Sequence, residues 1–107
     1  MADPPAESTD DPILVTPDAV IAKLLPKFLA NRQRDVALIV EMLEREGYGE
    51  LEVMGHNLKG AGRGYGCDGI SEIGRALEEA AQKHDQPAIR SQAFALDDYL
   101  RRVRIAP

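Results

Sequence analysis

Apolar residues recur at helical spacing along most of this chain. Leu51, Met54, Leu58, Ala61 and Tyr65 are separated by 3, 4, 3 and 4 positions, which is one stripe of an amphipathic helix over roughly 50–65. Upstream, Thr16-Pro17-Asp18 supplies a cap, an N1 proline and an acid for the positive end of a helix dipole. A short helix from about Asp18 to Leu24 is therefore predicted. Pro26 has no N–H to donate, so a kink or a fresh start is expected there. A long helix then runs from about Pro26 to Glu46, with Leu25, Phe28, Leu29, Val36, Ile39 and Leu43 facing inward, and Gly47-Tyr48-Gly49 ends it. Asp68 or Gly69 opens the next helix, whose inward stripe is Ile70, Ile73, Leu77, Ala80 or Ala81, and His84. Asp85-Gln86-Pro87 is another turn and helix start. The last helix, about Pro87 to Arg104, buries Ile89, Ala93, Leu96, Leu100 and Val103. No segment alternates with period two for long enough to be a strand. Short connections make consecutive long helices antiparallel neighbours. The expected fold is all-α: an antiparallel up-down-up-down four-helix bundle with a short extra N-terminal helix.

Composition narrows this picture. A chain of 107 residues is one domain. Its first dozen residues are rich in Pro, Ser and acid, so residues 1–15 read as a disordered lead-in and 16–107 as the folded unit. With no tryptophan and five aromatics, the core should be mostly Leu, Ile, Val and Ala. A single cysteine, Cys67, excludes an internal disulfide and fits a reducing cytoplasm. No apolar run approaches the roughly 18 residues of a membrane span, and the amino end lacks a basic, apolar signal segment. The net charge of −5 repels a phosphate backbone, which argues against nucleic-acid binding. The expectation is a monomeric cytoplasmic protein.

The candidate chemistry lies opposite the apolar stripe. His56 is about 200° around the helix from both Met54 and Leu58, so its imidazole points to solvent. Lys59 and Gly60 share that face at i+3 and i+4, and Arg63 follows at i+7. Glycine costs a helix interior roughly 1 kcal/mol relative to alanine, so Gly60, Gly62 and Gly64 need a reason. Gly60 and Gly64 lie on the His56 side and leave a strip of backbone that a partner surface can approach. Gly62 projects near Leu58, where it lets a neighbouring helix pack close. Gly66 follows the last apolar position and reads as a left-handed C-terminal cap.

His56-Asn57-Leu58-Lys59-Gly60-Ala61-Gly62, followed by Tyr65-Gly66, resembles the signature of the histidine phosphotransfer (HPt) domains of bacterial two-component phosphorelays. The close match runs from about Val53 to Ala81, with a looser one from Leu24 to Glu46. The family often has serine or alanine after the Lys-Gly pair, whereas here Ala61-Gly62 is followed by a further Gly64. The resemblance implies that His56 accepts a phosphoryl group from the aspartyl phosphate of a response-regulator receiver domain and passes it to another receiver. An imidazole has an ordinary pKa of about 6.5 and is a good nucleophile when neutral. Lys59 would stabilise the phosphoryl charge, while Asn57, Gly60, Arg63 and Gly64 would meet the partner. The receiver would bring the aspartate and a Mg²⁺ ion, leaving this chain with no metal or cofactor of its own. Receivers and a hybrid sensor histidine kinase are the implied partners. With no ATP-binding module, the chain would be a phosphoryl carrier and not an enzyme. The alternative is a bundle that docks on receivers or other signalling partners without relaying phosphate.

Other residues receive plainer readings. Arg32 sits near the apolar seam, where its stem packs and its head emerges or pairs with Asp35. Glu78 and Glu79 read as solvated, His84 as packed near a helix end, and Cys67 as a capping or packing residue. Gly64-x-Gly66-x-x-Gly69 matches a dinucleotide fingerprint in letters, but a helix precedes it where a strand is needed. His56, His84 and Cys67 lack zinc-ligand spacing.

Overall fold

The computed structural model describes residues 11–106. Four helices account for most of them: α1 (Ala19–Glu44), α2 (Tyr48–Gly64), α3 (Asp68–Gln82) and α4 (Gln86–Arg102). Two three-residue strands, β1 (Ile13–Val15) and β2 (Val103–Ile105), flank them and pair in parallel, with Ile13 opposite Val103 and Val15 opposite Ile105.

The expected short first helix and break at Pro26 do not occur. One helix of 26 residues runs through Pro26. The proline is exposed, between the buried anchors Leu25 and Phe28. Its ring therefore lies on the solvent side, where water can satisfy the carbonyl that loses its partner. The cap of α1 is Asp18, whose carboxylate accepts from the Ile21 N–H at 3.0 Å, and Thr16 and Pro17 stay outside the helix. The expectation of no strands fails at both chain ends. Each strand is too short to show a period-two signal, and the pairing is non-local. The expected lead-in is corrected with it, because Val15 is 6% exposed and belongs to the core. Residues 1–10 lie outside the described residues.

The three links between helices share one geometry. In the segments 45–47, 65–67 and 83–85 the last residue's N–H reaches back to Met42, Gly62 and Ala80 carbonyls at 2.8, 2.8 and 2.9 Å. The middle residue, Glu46, Gly66 or His84, has φ of 58°, 77° and 51°. These are Schellman closures, and Gly66 fills the left-handed position expected of it. His84 is corrected by the same observation. It lies past the end of α3, is exposed, and stacks on Tyr48 with ring centroids 3.9 Å apart.

The inward stripes match the core closely. Leu25, Ile39, Leu51, Ile70, Leu77, Ile89 and Leu96 are fully buried, each contributing about 1.5–3 kcal/mol of transfer free energy. The tightest packing joins α2 to α3 through glycine. A Cβ on Gly55 would lie 2.5 Å from the Glu78 nitrogen, one on Gly62 2.5 Å from the Ser71 nitrogen, and one on Gly74 2.4 Å from the Lys59 nitrogen. Positions 55, 59 and 62 thus meet 78, 74 and 71, so these two helices run in opposite senses. The close packing expected at Gly62 is present. Among the described residues no helix is long and apolar enough to cross a membrane.

Candidate functional site

The glycine contact sets the site's geometry, because it brings the outer edge of α3 up against the His56 face of α2. His56 has 67% of its side chain exposed. Its Nδ1 lies 3.3 Å from one carboxylate oxygen of Glu78, and Lys59 Nζ lies 2.9 Å from the other. Glu78 is only 17% exposed. The expectation that it is simply solvated is therefore corrected. It is held between a lysine and a histidine one helix away. The hydrogen bond from Lys59 keeps its carboxyl below the usual glutamate range, against an opposing desolvation cost and with help from the charge of Lys59 and from His56. No signal along the chain marks Glu78. It reaches His56 because Gly55 and Gly74 let the helices touch.

An imidazole with Nδ1 turned to a carboxylate keeps its proton on that nitrogen and presents the Nε2 lone pair outward. Beside it is a shallow depression of about 420 Å³ lined by Lys59, Gly60 and Arg63 of α2 and by Ser71, Glu72 and Arg75 of α3. Three cations therefore border the ring. Beyond chain neighbours and the local helix backbone, nothing lies within 4 Å of where a Cβ would sit on Gly60 or Gly64, so the approach to the histidine is open. Ser71, a buried hydroxyl, donates to the Lys59 carbonyl at 2.7 Å and ties the base of the depression together.

His56, Lys59, Gly60 and Arg63 are thus brought together as expected, and Gly64 continues their open face. Asn57 is not part of the depression. It lines a separate groove of about 740 Å³ between α1 and α2, with Arg32, Asp35, Met42, Val53 and Met54. Arg32 is in that groove as well. Its Nε donates to Asp35 at 2.7 Å and its guanidinium lies 4.7 Å from the Phe28 ring centre, so of the two expected arrangements the pairing is the one present. Cys67 is fully buried at the N-cap of α3, and burial pushes its thiol pKa up, which leaves it a packing residue. Among the described residues no three His, Cys, Asp or Glu side chains converge as metal ligands.

No family model, curated protein or solved structure matches the chain. The geometry of the site is what a functional reading has to stand on.

Proposed function

We propose that the chain is a histidine phosphotransfer protein with His56 as its phosphoacceptor. The observation that carries this is the solvent-facing imidazole of His56, oriented by Glu78 and bordered by Lys59, Arg63 and Arg75 across an uncrowded glycine surface. In the transfer, the Nε2 lone pair attacks the phosphorus of an aspartyl phosphate. The N–P bond forms as the acyl O–P bond breaks, and the partner's aspartate leaves as a carboxylate. The ring then carries positive charge with its Nδ1 proton retained, facing the Glu78 carboxylate. The cations meet the charge spread over the phosphoryl oxygens. Transfer to a second receiver is the reverse of this step. The partner supplies the aspartate and Mg²⁺, and this chain supplies the nitrogen, the orienting carboxylate and the cations.

The same reading takes the four helices as an antiparallel up-down-up-down bundle, working as a monomer in the bacterial cytoplasm. The three short links and the opposed register of α2 and α3 support that arrangement.

The test mixes the protein with a phosphorylated receiver and follows transfer of label. The expected result is an acid-labile, base-stable adduct that His56→Gln abolishes, with helical content and melting temperature nearly unchanged. Equal labelling of the His56→Gln protein refutes the assignment. Undiminished receiver binding and signalling by that variant would favour a docking module without relay.

A further inference from the structure

Two of the cations around the depression, Lys59 and Arg75, already have carboxylate partners in this chain. Arg75 donates to Glu72 at 2.8 Å and to Glu79 at 3.3 Å. Arg75 lowers the Glu72 carboxyl pKa through that hydrogen bond, and Arg63 lowers it further from across the depression. Glu72, Arg63 and Arg75 all line the space beside His56. One glutamate therefore lies in the field of two guanidinium groups, one from each helix. Arg75 and Glu72 are both more than half exposed, so exchanging their partners involves little change in burial.

A phosphoryl group on His56 Nε2 would enter this arrangement as a dianion with three acceptor oxygens. A guanidinium meets two such oxygens at once, and a doubly charged acceptor outcompetes a singly charged carboxylate. Lys59 is the less available cation, because its partner Glu78 is largely buried and lies 3.3 Å from His56 Nδ1 as well, whereas the partners of Arg75 are solvent-exposed.

We infer that Arg63 and Arg75 form a dianion site for the phosphoryl group carried by His56, and that Glu72 is its built-in competitor, bonded to Arg75 and sharing the depression with Arg63 until the phosphoryl group arrives. This deepens the phosphotransfer reading and rests on it. Arg75 becomes a functional residue contributed by α3, and Glu72 sets how tightly the phosphorylated state is held.

The experiment uses phosphoramidate as donor, so no receiver is needed. The Nε2 lone pair takes the phosphoryl group, the P–N bond of the donor breaks, and ammonia leaves. The phosphohistidine is then titrated by ³¹P NMR in the full chain. Neighbouring cations favour the dianion, so Arg75→Ala should raise the midpoint of the phosphoryl titration by about half a pH unit, roughly threefold in acidity. Arg63→Ala should move it in the same direction. Glu72→Gln should lower it by a similar amount. Arg90→Ala, on the distant α4, should leave it in place. A purely structural disturbance would not give opposite signs for Arg75 and Glu72, which are neighbours on one helix. Label on His56 with unmoved midpoints, or with Arg75→Ala and Glu72→Gln shifting alike, overturns the dianion site alone. Failure of His56 to take any label overturns it together with the phosphotransfer reading.

Discussion

Replacing Gly74 with alanine should loosen the fold, while the same replacement at Gly60 should tighten it. The two glycines lie on neighbouring helices and differ only in what a methyl group would meet. At Gly74 the new carbon would sit 2.4 Å from the Lys59 nitrogen, 2.7 Å from the Gly55 oxygen and 2.8 Å from the Leu58 carbonyl carbon. All three are backbone atoms, so no side chain can swing aside. Ordinary contact begins near 3.4 Å, so α2 and α3 must part by about 1 Å. Overpacking of this kind costs about 1–3 kcal/mol, and alanine's better helix propensity returns up to about 1 kcal/mol. Midway through that range the net loss is about 1 kcal/mol, which lowers the melting temperature of a domain this size by roughly 4–8 °C. At Gly60 nothing beyond its chain neighbours and the local helix backbone lies within 4 Å, so only the propensity gain operates. It should raise the melting temperature by roughly 3–6 °C. Function should not follow stability. Gly60→Ala puts a methyl group on the approach to His56 and should slow receiver-dependent labelling in the more stable protein. Gly74→Ala should slow it by moving Glu78 away from His56. Thermal melts by circular dichroism, paired with transfer rates, measure both effects. Melting shifts of the same sign in the two variants would refute the glycine-contact account of the site.

Acid should act through Glu78. Its folded-state pKa is depressed, so its contribution to stability is present above the ordinary glutamate value of 4.5 and disappears as pH falls through and below that value. Glu78→Gln should therefore flatten the decline of melting temperature below pH 4.5, and an unchanged acid limb would count against the Lys59–Glu78–His56 arrangement. Glu46, an exposed residue held at φ 58°, occupies a position that favours glycine. Glu46→Gly should raise stability by about 0.5–1 kcal/mol in urea unfolding at constant slope, and a loss of stability would contradict the closure drawn for that turn.

The four long helices, their inward stripes and the outward aim of His56 were legible because each depends on neighbours within a few positions. Ile70, Ile73, Leu77 and Ala81 recur at helical spacing, and all four are buried. Asp85 sits before Gln86-Pro87 and caps α4 by accepting from the Ala88 N–H. The errors came where distant segments meet. Pro26 was expected to end a helix, yet buried anchors at Leu25 and Phe28 carry α1 through it. The pairing of Ile13–Val15 with Val103–Ile105 joins the two ends of the fold and leaves no local trace. Asn57 lies about 100° around α2 from His56, on the flank of the helix, and the packing of α1 puts it in the groove and not in the depression beside His56.

By itself the chain determined where helices form, which face of each is apolar, and that one imidazole stands outside the core. Those properties follow from a period of 3.6 residues and from caps acting within a single turn. Only the tertiary structure decided that Glu78 would hold Nδ1 of His56, that Arg75 and Glu72 would border the same depression, and that the chain ends would pair. Each of these needs two segments at a set separation. Between α2 and α3 that separation is fixed by three glycines whose missing side chains matter only once the other helix is in place.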